Sequence, residues 1–555
     1  MAGRKLLVVC LLFLNTFLVL AYVTDSSIYP PPSDYLNPTL PGVGWPKRFR
    51  DPTFYRRKAG DEWIWRISDA RNTPRVDGVP GNLTVIQHEY STTNPFNLDE
   101  SLLLLIHQAY FALHDGNGRF IRSLLQVCPT CAPRWSRTDP DVFYYVRGLQ
   151  MYRYNALTDM HEPHGGPLPY DQLITRGEDD ICFDGDHRVG FGRRGSEYFL
   201  YVFSISQAQV VSELSIGGSA AFANVDSAEI APDDVVLVTY VANDQFANQL
   251  PAHGIWAYNL NLQPLQQVST AGGHHDVGRD ADGAPILVMS NAASYHALPG
   301  CANGIERVSI HSPANRTCLL SLNWTLAANV SLPDQPGWAF VSTYAPGDPI
   351  HGGLSRKEES SPWVRSTGGA GWLVETNSVH SGGKAMWSDN DASQAALVFY
   401  GTKVQWIAYK DASSGIAQVS VDGETSEVDL YSPSPQTQTV VYSRDGLPLG
   451  FHLFTIDVTA SKNPESSGYK IWVDAIEDDT PWSAYSSEIL QVRLDGGEVR
   501  RIAHHRSRSF NQYNYTPRAS VSRSGLRLVF GTNWGLPSEA YTEYADVYMI
   551  RLSRR

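Results

Sequence analysis

Histidine, acidic, arginine and tyrosine side chains concentrate in short segments that recur along this chain. Most of these segments precede a polar turn and an apolar stretch, which is typical of a loop that enters a strand. A proton acceptor, a proton donor and a cationic group held together can remove a proton from carbon and protonate a leaving oxygen. The residues expected to carry such chemistry are His275, His505, Arg506 and Tyr513.

The same segments offer ligands for a metal ion and for a sugar. Imidazoles bind divalent cations, and His88, His275 and His505 are the expected ligands of Ca²⁺, Mn²⁺ or Zn²⁺. Aromatic rings bind sugars by stacking, with polar groups at the edge of the ring. The expected substrate-binding residues are His88, Tyr90, Trp135, Glu229, Arg518 and Trp387.

A turn followed by an apolar strand recurs seven times, at Asp99, Asp139, Asp186, Asp233, Asp282, Asp334 and Ser524. The first six turns are 40 to 52 residues apart, whereas 190 residues separate the last two. Short strands in units of this length are typical of β-propeller blades. The sequence therefore predicts an all-β fold, a seven-bladed β-propeller with an inserted β-sandwich (jelly-roll) domain. A single β-sandwich with accidental spacing is the alternative.

Composition and sequence shifts predict the domain boundaries. Residues 1–21 have a basic start and an apolar core, as a signal peptide does. A Pro- and Tyr-rich arm follows at 22–73, then blades 1–6 at 74–354, the insertion at 355–481, and the end of blade 6 with blade 7 at 482–555. The last blade lacks a strand, and a segment between Trp63 and Val85 is expected to supply it, which removes an exposed edge.

These features predict a secreted monomer without a membrane span once the signal peptide is removed. An uncleaved signal anchor is the alternative. The formal net charge of −13 argues against nucleic acid as a partner, since nucleic-acid binding depends on Lys and Arg. The expected partner is a polysaccharide or another glycan.

Six cysteines are present, and Cys10 lies in the signal peptide. We expect disulfides between Cys301 and Cys318 and between Cys128 and Cys131, with Cys182 left as a buried thiol. A metal site or a redox site at the CxxC pair is the alternative. Four sequons permit N-glycosylation, at Asn82, Asn315, Asn323 and Asn329.

The insertion resembles the galactose-binding-like jelly rolls that serve as carbohydrate-binding modules. The motifs are FYGTKVQW at 399–406, VSVDG at 419–423, GFH at 450–452 and VDA at 473–475. The rest of the chain resembles the secreted propellers that include oligogalacturonate lyases and ulvan lyases. The resemblance lies in HHRSRSFNQYNYTPRASVSRSG at 504–525, and more loosely in GGHHD at 272–276 and HEYST at 88–92.

The resemblance implies cleavage of uronate-containing polysaccharide by β-elimination at one rim of the propeller. It does not transfer the metal site, because oligogalacturonate lyases carry two His separated by one residue and this sequence has adjacent pairs, His274-His275 and His504-His505. Alternate side chains of an extended chain point to opposite faces, so each pair can offer one residue to a site.

Other interpretations of these residues remain open. A histidine before an inner strand can simply bond the neighbouring blade, and Arg518 can brace two blades. A non-catalytic glycan-binding or surface-interaction propeller is the alternative function, since propellers serve both purposes. A hydrolase that uses paired carboxylates such as Glu89 and Glu229 is a third hypothesis.

Overall fold

The structure is a computed structural model. It describes residues 22–27, 29, 39–54, 62–176, 180–241, 253–270, 273–291, 301, 303–322, 326–344, 350–351, 354–361, 364–368, 371–448, 450–479, 483–508, 513–536 and 543–552. The expected signal peptide lies outside these residues. None of the helices within these ranges is long and apolar enough to cross a membrane.

The described chain folds into antiparallel sheets of short strands, most of the sheets having four, which confirms the predicted all-β class and is consistent with a propeller. Seven of these sheets follow one another along the chain. Sheet 1 has Leu102–His107, Tyr110–Asp115 and Phe120–Leu124; sheet 2 has Arg134–Trp135, Val142–Arg147, Gln150–Asn155 and Met160–Pro163; sheet 3 has Gln172–Ile174, His187–Arg194, Glu197–Ser204 and Gln209–Gly217; sheet 4 has Val225–Ala231, Val235–Tyr240, Gly254–Tyr258 and Pro264–Ser269; sheet 5 has His275–Arg279, Pro285–Asn291, Gly304–Ser309 and Arg316–Ser321; sheet 6 has Ala327–Ser331, Trp338–Tyr344, Glu488–Arg493 and Val499–His504; sheet 7 has Ser520–Val521, Arg527–Thr532, Asp546–Arg551 and Trp63–Arg66.

Each sheet buries apolar side chains against the next one. Between sheets 3 and 4, Phe191 packs in one cluster with Val236, and comparable clusters join each of the other consecutive pairs. A further cluster, which contains Leu105 and Val529, joins sheet 7 back to sheet 1. Burying one such side chain stabilises the fold by about 1.5–3 kcal/mol.

Burial along the strands follows from this packing. Every residue of Val235–Tyr240 is buried, because a central strand between two neighbouring sheets is covered on both faces. The outermost strand of sheet 3, Gln209–Gly217, alternates between exposed and partly buried residues.

The two ends of the chain meet in sheet 7. Trp63–Arg66 pairs antiparallel with Asp546–Arg551, so these four residues of the expected arm lie in the sheet. Arg66 Nε donates to Asp546 Oδ2 at 2.9 Å, and the Asp546 carboxylate also accepts from Ser68 Oγ at 2.7 Å. These buried bonds fix the N-terminal strand to the C-terminal one.

Between the second and third strands of sheet 6 the chain forms three further sheets. Trp406 and Trp472 are buried in their common core. Their strands are Ile350–His351, Leu354–Glu358, Ala475–Asp478, Val404–Lys410 and Gln436–Arg444; Val364–Thr367, Gln394–Gly401, Gly450–Ser461, Ile416–Val421 and Glu424–Asp429; and Leu373–Thr376, Lys384–Ser388 and Ile471–Val473. The described helices are one α-helical turn, Ser219–Phe222, and short 3₁₀ helices at Ala70–Asn72, Pro129–Cys131, Pro232–Asp234, Ser381–Gly383 and Tyr513–Tyr515.

Both expected disulfides are present, Cys128–Cys131 and Cys301–Cys318, and Cys182 is a buried free thiol. Two disulfides are typical of a protein from an oxidising compartment.

Replacing both Cys301 and Cys318 by serine is expected to lower the free energy of unfolding by about 3 kcal/mol. The bond closes a loop across a sequence separation of 17, and opening it gives the unfolded chain more conformational freedom. Urea unfolding of the double variant measures the loss. The matched change at Cys128 and Cys131, whose separation is 3, is expected to cost less; equal losses would contradict the loop-closure account.

Candidate functional site

Three polar side chains contact one another: Tyr90 in the segment before sheet 1, His274 just before the first strand of sheet 5, and Asn329 in the first strand of sheet 6. The Tyr90 hydroxyl donates to His274 Nδ1 at 3.2 Å, and Asn329 Nδ2 donates to the Tyr90 oxygen at 3.3 Å and also bonds His274 Nδ1. His274 is exposed and Tyr90 is half-buried, whereas Asn329 is buried. A phenol and an imidazole therefore form a contact at the protein surface, and the exposed region around Tyr90, His274 and Tyr513 is called the mouth below.

Further polar groups surround this contact. The Arg518 guanidinium lies 4.4 Å from the centre of the Tyr513 ring, and Tyr513 is 62% exposed. The hydroxyls of Tyr513 and Tyr344 and the charges of Arg518 and Asp226 all influence the pKa of Tyr90. The Tyr90 hydroxyl therefore bonds His274 and Asn329 directly, and the four other groups act on it through their charges and dipoles.

Hydrogen bonds hold Arg518 in place beneath the mouth. Its Nη1 donates to the Glu89 carbonyl oxygen at 3.1 Å and its Nη2 to Gln87 Oε1 at 2.6 Å. The Glu89 carboxylate accepts two bonds from Arg134, at 2.8 and 3.0 Å. Because Arg518 is only 2% exposed, it supplies a fixed positive charge to the site instead of a direct contact with a polymer.

The surrounding protein changes the pKa of both members of the pair. Although residue His274 is exposed as a whole, neighbouring protein atoms displace water from its ring and lower its pKa; the Asp226 charge offsets this in part. Burial raises the pKa of Tyr90, and the neighbouring Tyr513 and Tyr344 hydroxyls add to the effect. At neutral pH the imidazole is therefore neutral and can accept a proton, while the phenol keeps one to donate.

His275, the expected catalytic member of its pair, points away from this mouth. Its Nε2 lies 2.6 Å from Glu229 Oε1, and its Nδ1 bonds the Gly273 carbonyl oxygen at 2.7 Å. Burial opposes the charge on His275, yet the Glu229 carboxylate raises its pKa to about 9. His275 and Glu229 therefore form a buried ion pair between sheets 4 and 5, and neither is free to bind substrate.

This pair predicts a pH dependence of stability. The folded-state pKa of His275, about 9, exceeds its ordinary value of 6.5, so the contribution of the pair is complete below pH 6.5 and is lost as the pH rises through about 9. We expect urea unfolding across this pH range to show the loss in the wild type. The His275→Gln variant should be less stable at the acid end and should show a flatter profile. Parallel profiles would exclude the pair as the cause.

His88 and His505 do not join His275 in a metal site. His88 Nε2 bonds the Arg518 carbonyl oxygen, and burial lowers the pKa of His88 to about 3. His505 Nε2 bonds the Thr343 carbonyl oxygen at 2.7 Å, and its Nδ1 accepts from the Ser507 backbone N–H at 2.9 Å. The three imidazoles bond different partners and do not fit the expected cation, because both nitrogens of His275 and His505 are already engaged.

Three other expected site residues contact neighbouring side chains or backbone of the protein. Arg506 is 8% exposed and its guanidinium lies over the Trp534 ring at 4.6 Å. Trp135 is 1% exposed, packs on Phe143 and donates to the Pro95 carbonyl oxygen, so it is a core residue and not a sugar-stacking one. Trp387 is half-buried between Trp472 and the Lys470 ammonium group, 4.5 Å from its ring centre.

Ion pairs between sheets lie further along the inner strands. Arg137 Nη1 donates to both oxygens of Asp334 at 3.1 and 3.0 Å, and Arg523 Nη2 lies 3.4 Å from Asp180. These residues line a cavity together with Glu229 and Asp276, and strands of sheets 4, 5, 6 and 7 contribute to its lining. The two Arg–Asp pairs join segments that follow or precede strands of different sheets, so they brace this part of the protein.

The sequence analysis named Tyr90, Tyr513 and Arg518 but missed their partners. His274 is the other member of the pair from which His275 was chosen, and Asn329 was interpreted as a glycosylation site. Asn329 is 1% exposed and bonded to Tyr90 and His274, so a folded chain cannot carry a glycan there. Asp226 carried no local signal beyond its place at the start of an inner strand.

Comparisons with known proteins do not assign this chain to a family. No protein-family model and no curated protein matches this chain. Among solved structures, an oligogalacturonate lyase in complex with manganese has a TM-score of 0.43 and 11% identity, and the alignment covers 91% of this chain and 96% of that one. An oligogalacturonate lyase from Vibrio parahaemolyticus has a TM-score of 0.43, 9% identity and the same coverage. An exo-beta-1,3-galactanase from Phanerochaete chrysosporium has a TM-score of 0.23 and 13% identity over 66% of this chain and 99% of that one. These values are too low to assign a function.

Proposed function

We propose that the seven sheets are the blades of one propeller and that the sheets between residues 350 and 478 form an inserted jelly-roll. The apolar clusters between every consecutive pair, and between sheets 7 and 1, support this proposal. The two disulfides support export from the cell.

The proposed function is cleavage of a uronate-containing polysaccharide by β-elimination. The observation that carries it is the Tyr90–His274 contact of 3.2 Å at an open mouth. A phenol bonded to a neutral imidazole is suited to proton transfer. In a uronate, the carbon next to the carboxylate carries an acidic C–H proton that such a pair can remove. A fixed guanidinium, Arg518, adds the positive charge that a developing enolate requires.

In the proposed elimination, the residues of the mouth transfer protons in the following order. The Tyr90 oxygen takes the proton from the carbon beside the uronate carboxylate, while the Tyr90 proton passes to His274 Nδ1. The electron pair of the broken C–H bond forms a carbon–carbon double bond and expels the glycosidic oxygen. Tyr513, the exposed phenol next to Arg518, donates the proton that this leaving oxygen needs. Asn329 bonds both the Tyr90 oxygen and the His274 imidazole and so keeps the two groups close enough for proton transfer.

The carboxylates suited to a hydrolase are engaged elsewhere. Glu89 accepts two bonds from Arg134, and Glu229 pairs with His275. The two carboxylates that such a hydrolase needs on either side of a glycosidic bond are thus held by cations. Elimination therefore agrees better with the contacts of the site.

The experiment is an ultraviolet absorbance assay with the full-length secreted chain and a panel of uronate polysaccharides. Elimination leaves a conjugated unsaturated uronate that absorbs, whereas hydrolysis adds water and leaves none. We expect absorbance to rise with at least one polymer. New reducing ends without absorbance would indicate a hydrolase, and retention of the same polymers in an affinity gel without cleavage would support the non-catalytic glycan-binding function.

A further inference from the structure

A second cluster of reactive side chains lies away from the Tyr90 mouth, between sheets 3 and 4. It consists of Cys182, Asp184, His187 and Asp234, and one ligand atom from each lies within 4.8 Å of the others. Cys182 and Asp184 belong to the segment that leads into the second strand of sheet 3, and His187 is the first residue of that strand. Asp234 belongs to the turn between the first two strands of sheet 4.

The contacts within the cluster converge on the Cys182 sulfur. Cys182 Sγ touches Asp184 Oδ1, and the His187 backbone N–H donates to the sulfur at 3.0 Å. His187 Nδ1 lies 2.9 Å from Asp184 Oδ2. Cys182 is 1% exposed. Among the described residues it is a free cysteine, and the other four cysteines form two disulfides.

We propose that Cys182, Asp184, His187 and Asp234 bind one zinc ion that joins sheet 3 to sheet 4. Zinc takes four ligands in a tetrahedron, and sulfur, nitrogen and carboxylate oxygen are the atoms it prefers. Ligands at zinc bond lengths lie about 3.3–3.8 Å apart, so the cluster needs only small side-chain movements to close on an ion. A thiolate ligand favours zinc over the hard cations calcium and magnesium.

The surroundings of His187 support this assignment. With Nδ1 toward the cluster, Nε2 lies 3.6 Å from Asp186 Oδ2. Asp186 is itself fixed by the Ser204 hydroxyl at 2.9 Å. A carboxylate behind the second nitrogen of a zinc-bound histidine orients the ring and raises its basicity.

Zinc binding here releases the thiol proton of Cys182 to solvent as the zinc–sulfur bond forms. The ion then links the segment of sheet 3 that carries Cys182, Asp184 and His187 directly to the turn of sheet 4 that carries Asp234. Because the folded chain alone brings Asp234 to the other ligands, the ion stabilises the folded state and raises its melting temperature.

The test uses the full-length chain without a histidine tag, stripped by a chelator and titrated with Co²⁺ and then Zn²⁺. We expect one Co²⁺ per chain, a thiolate-to-cobalt charge-transfer band that Zn²⁺ bleaches, and a higher melting temperature with Zn²⁺. His187→Gln and Asp234→Asn should weaken binding at least about 100-fold, given that even residues behind the ligands cost 10–100-fold, and Cys182→Ala should abolish the band.

Asp233→Asn is the matched control. Asp233 lies next to Asp234, but its carboxylate pairs with Arg279 at 3.1 Å and His311 at 3.4 Å. This variant should keep the cobalt band. If Cys182→Ala does not fold, native mass spectrometry of the wild-type chain decides, since one retained Zn²⁺ supports the site. A folded wild-type chain that binds no zinc, or a band that persists in Cys182→Ala, would overturn the proposal.

Discussion

The Tyr90→Phe variant is expected to lose at least about 100-fold of the rate of uronate elimination, because general acid–base groups contribute roughly 10²–10⁴-fold. The change removes only the hydroxyl that bonds His274 at 3.2 Å and accepts from Asn329 at 3.3 Å. The initial rate of ultraviolet absorbance at saturating polymer measures the loss. Since Tyr90 is half-buried and the ring remains, the free energy of unfolding should change little.

A second tyrosine–histidine pair provides the matched control. The Tyr145 hydroxyl bonds His161 Nδ1 at 2.9 Å in sheet 2, away from the Tyr90 mouth. Tyr145→Phe removes the same kind of hydrogen bond and should leave the elimination rate unchanged. Equal losses in the two variants would mean that Tyr90 supports the fold and not the chemistry.

The Arg501→Met variant is expected to cost about 3–5 kcal/mol of stability, the usual penalty for leaving a buried charge without its partner. Arg501 Nε donates to Glu488 Oε2 at 2.6 Å, and both side chains have no exposed surface. Arg501 Nη1 also donates to the Ser27 carbonyl oxygen at 2.6 Å, so it fixes the N-terminal arm to sheet 6. Urea unfolding measures the loss.

Arg500, the neighbour of Arg501 in the sequence, provides the control for position and charge. Arg500 pairs with Glu498 at 2.6 Å and lies over the Trp338 ring, but its side chain is 19% exposed. Arg500→Met should cost no more than about 1 kcal/mol, as surface pairs do. In addition, Arg501→Met combined with Glu488→Leu should recover much of the loss, because no unpaired charge remains. A double variant as unstable as the single one would contradict this explanation.

The fold class was predictable because it depends on patterns that repeat. Turn formers before apolar stretches indicated short antiparallel strands, and the separation of Cys301 from Cys318 across a polar loop indicated their disulfide. Such patterns depend on the local geometry of the chain, so they can be recognised in a single sequence.

The site was harder to predict because it depends on the side of the chain to which each side chain points and on the distant residue that it meets there. The adjacent pair His274-His275 was expected to offer one residue to the site, but nothing local showed that His275 would pair with Glu229 and His274 with Tyr90. Trp135 and His505 have residue types common in sugar sites, yet packing against distant strands made them structural. Asn329 lies 239 residues from Tyr90, a contact that only the folded chain creates.

The most direct test of the account is a crystal structure of Tyr90→Phe, the variant expected to bind without cleaving, with an uncleaved uronate oligosaccharide. We predict that the sugar lies at the mouth, with the carbon beside its carboxylate facing residue 90 and the glycosidic oxygen facing Tyr513. An ordered sugar bound instead on the sheets between residues 350 and 478, with no sugar at the mouth, would contradict the account and support a glycan-binding protein.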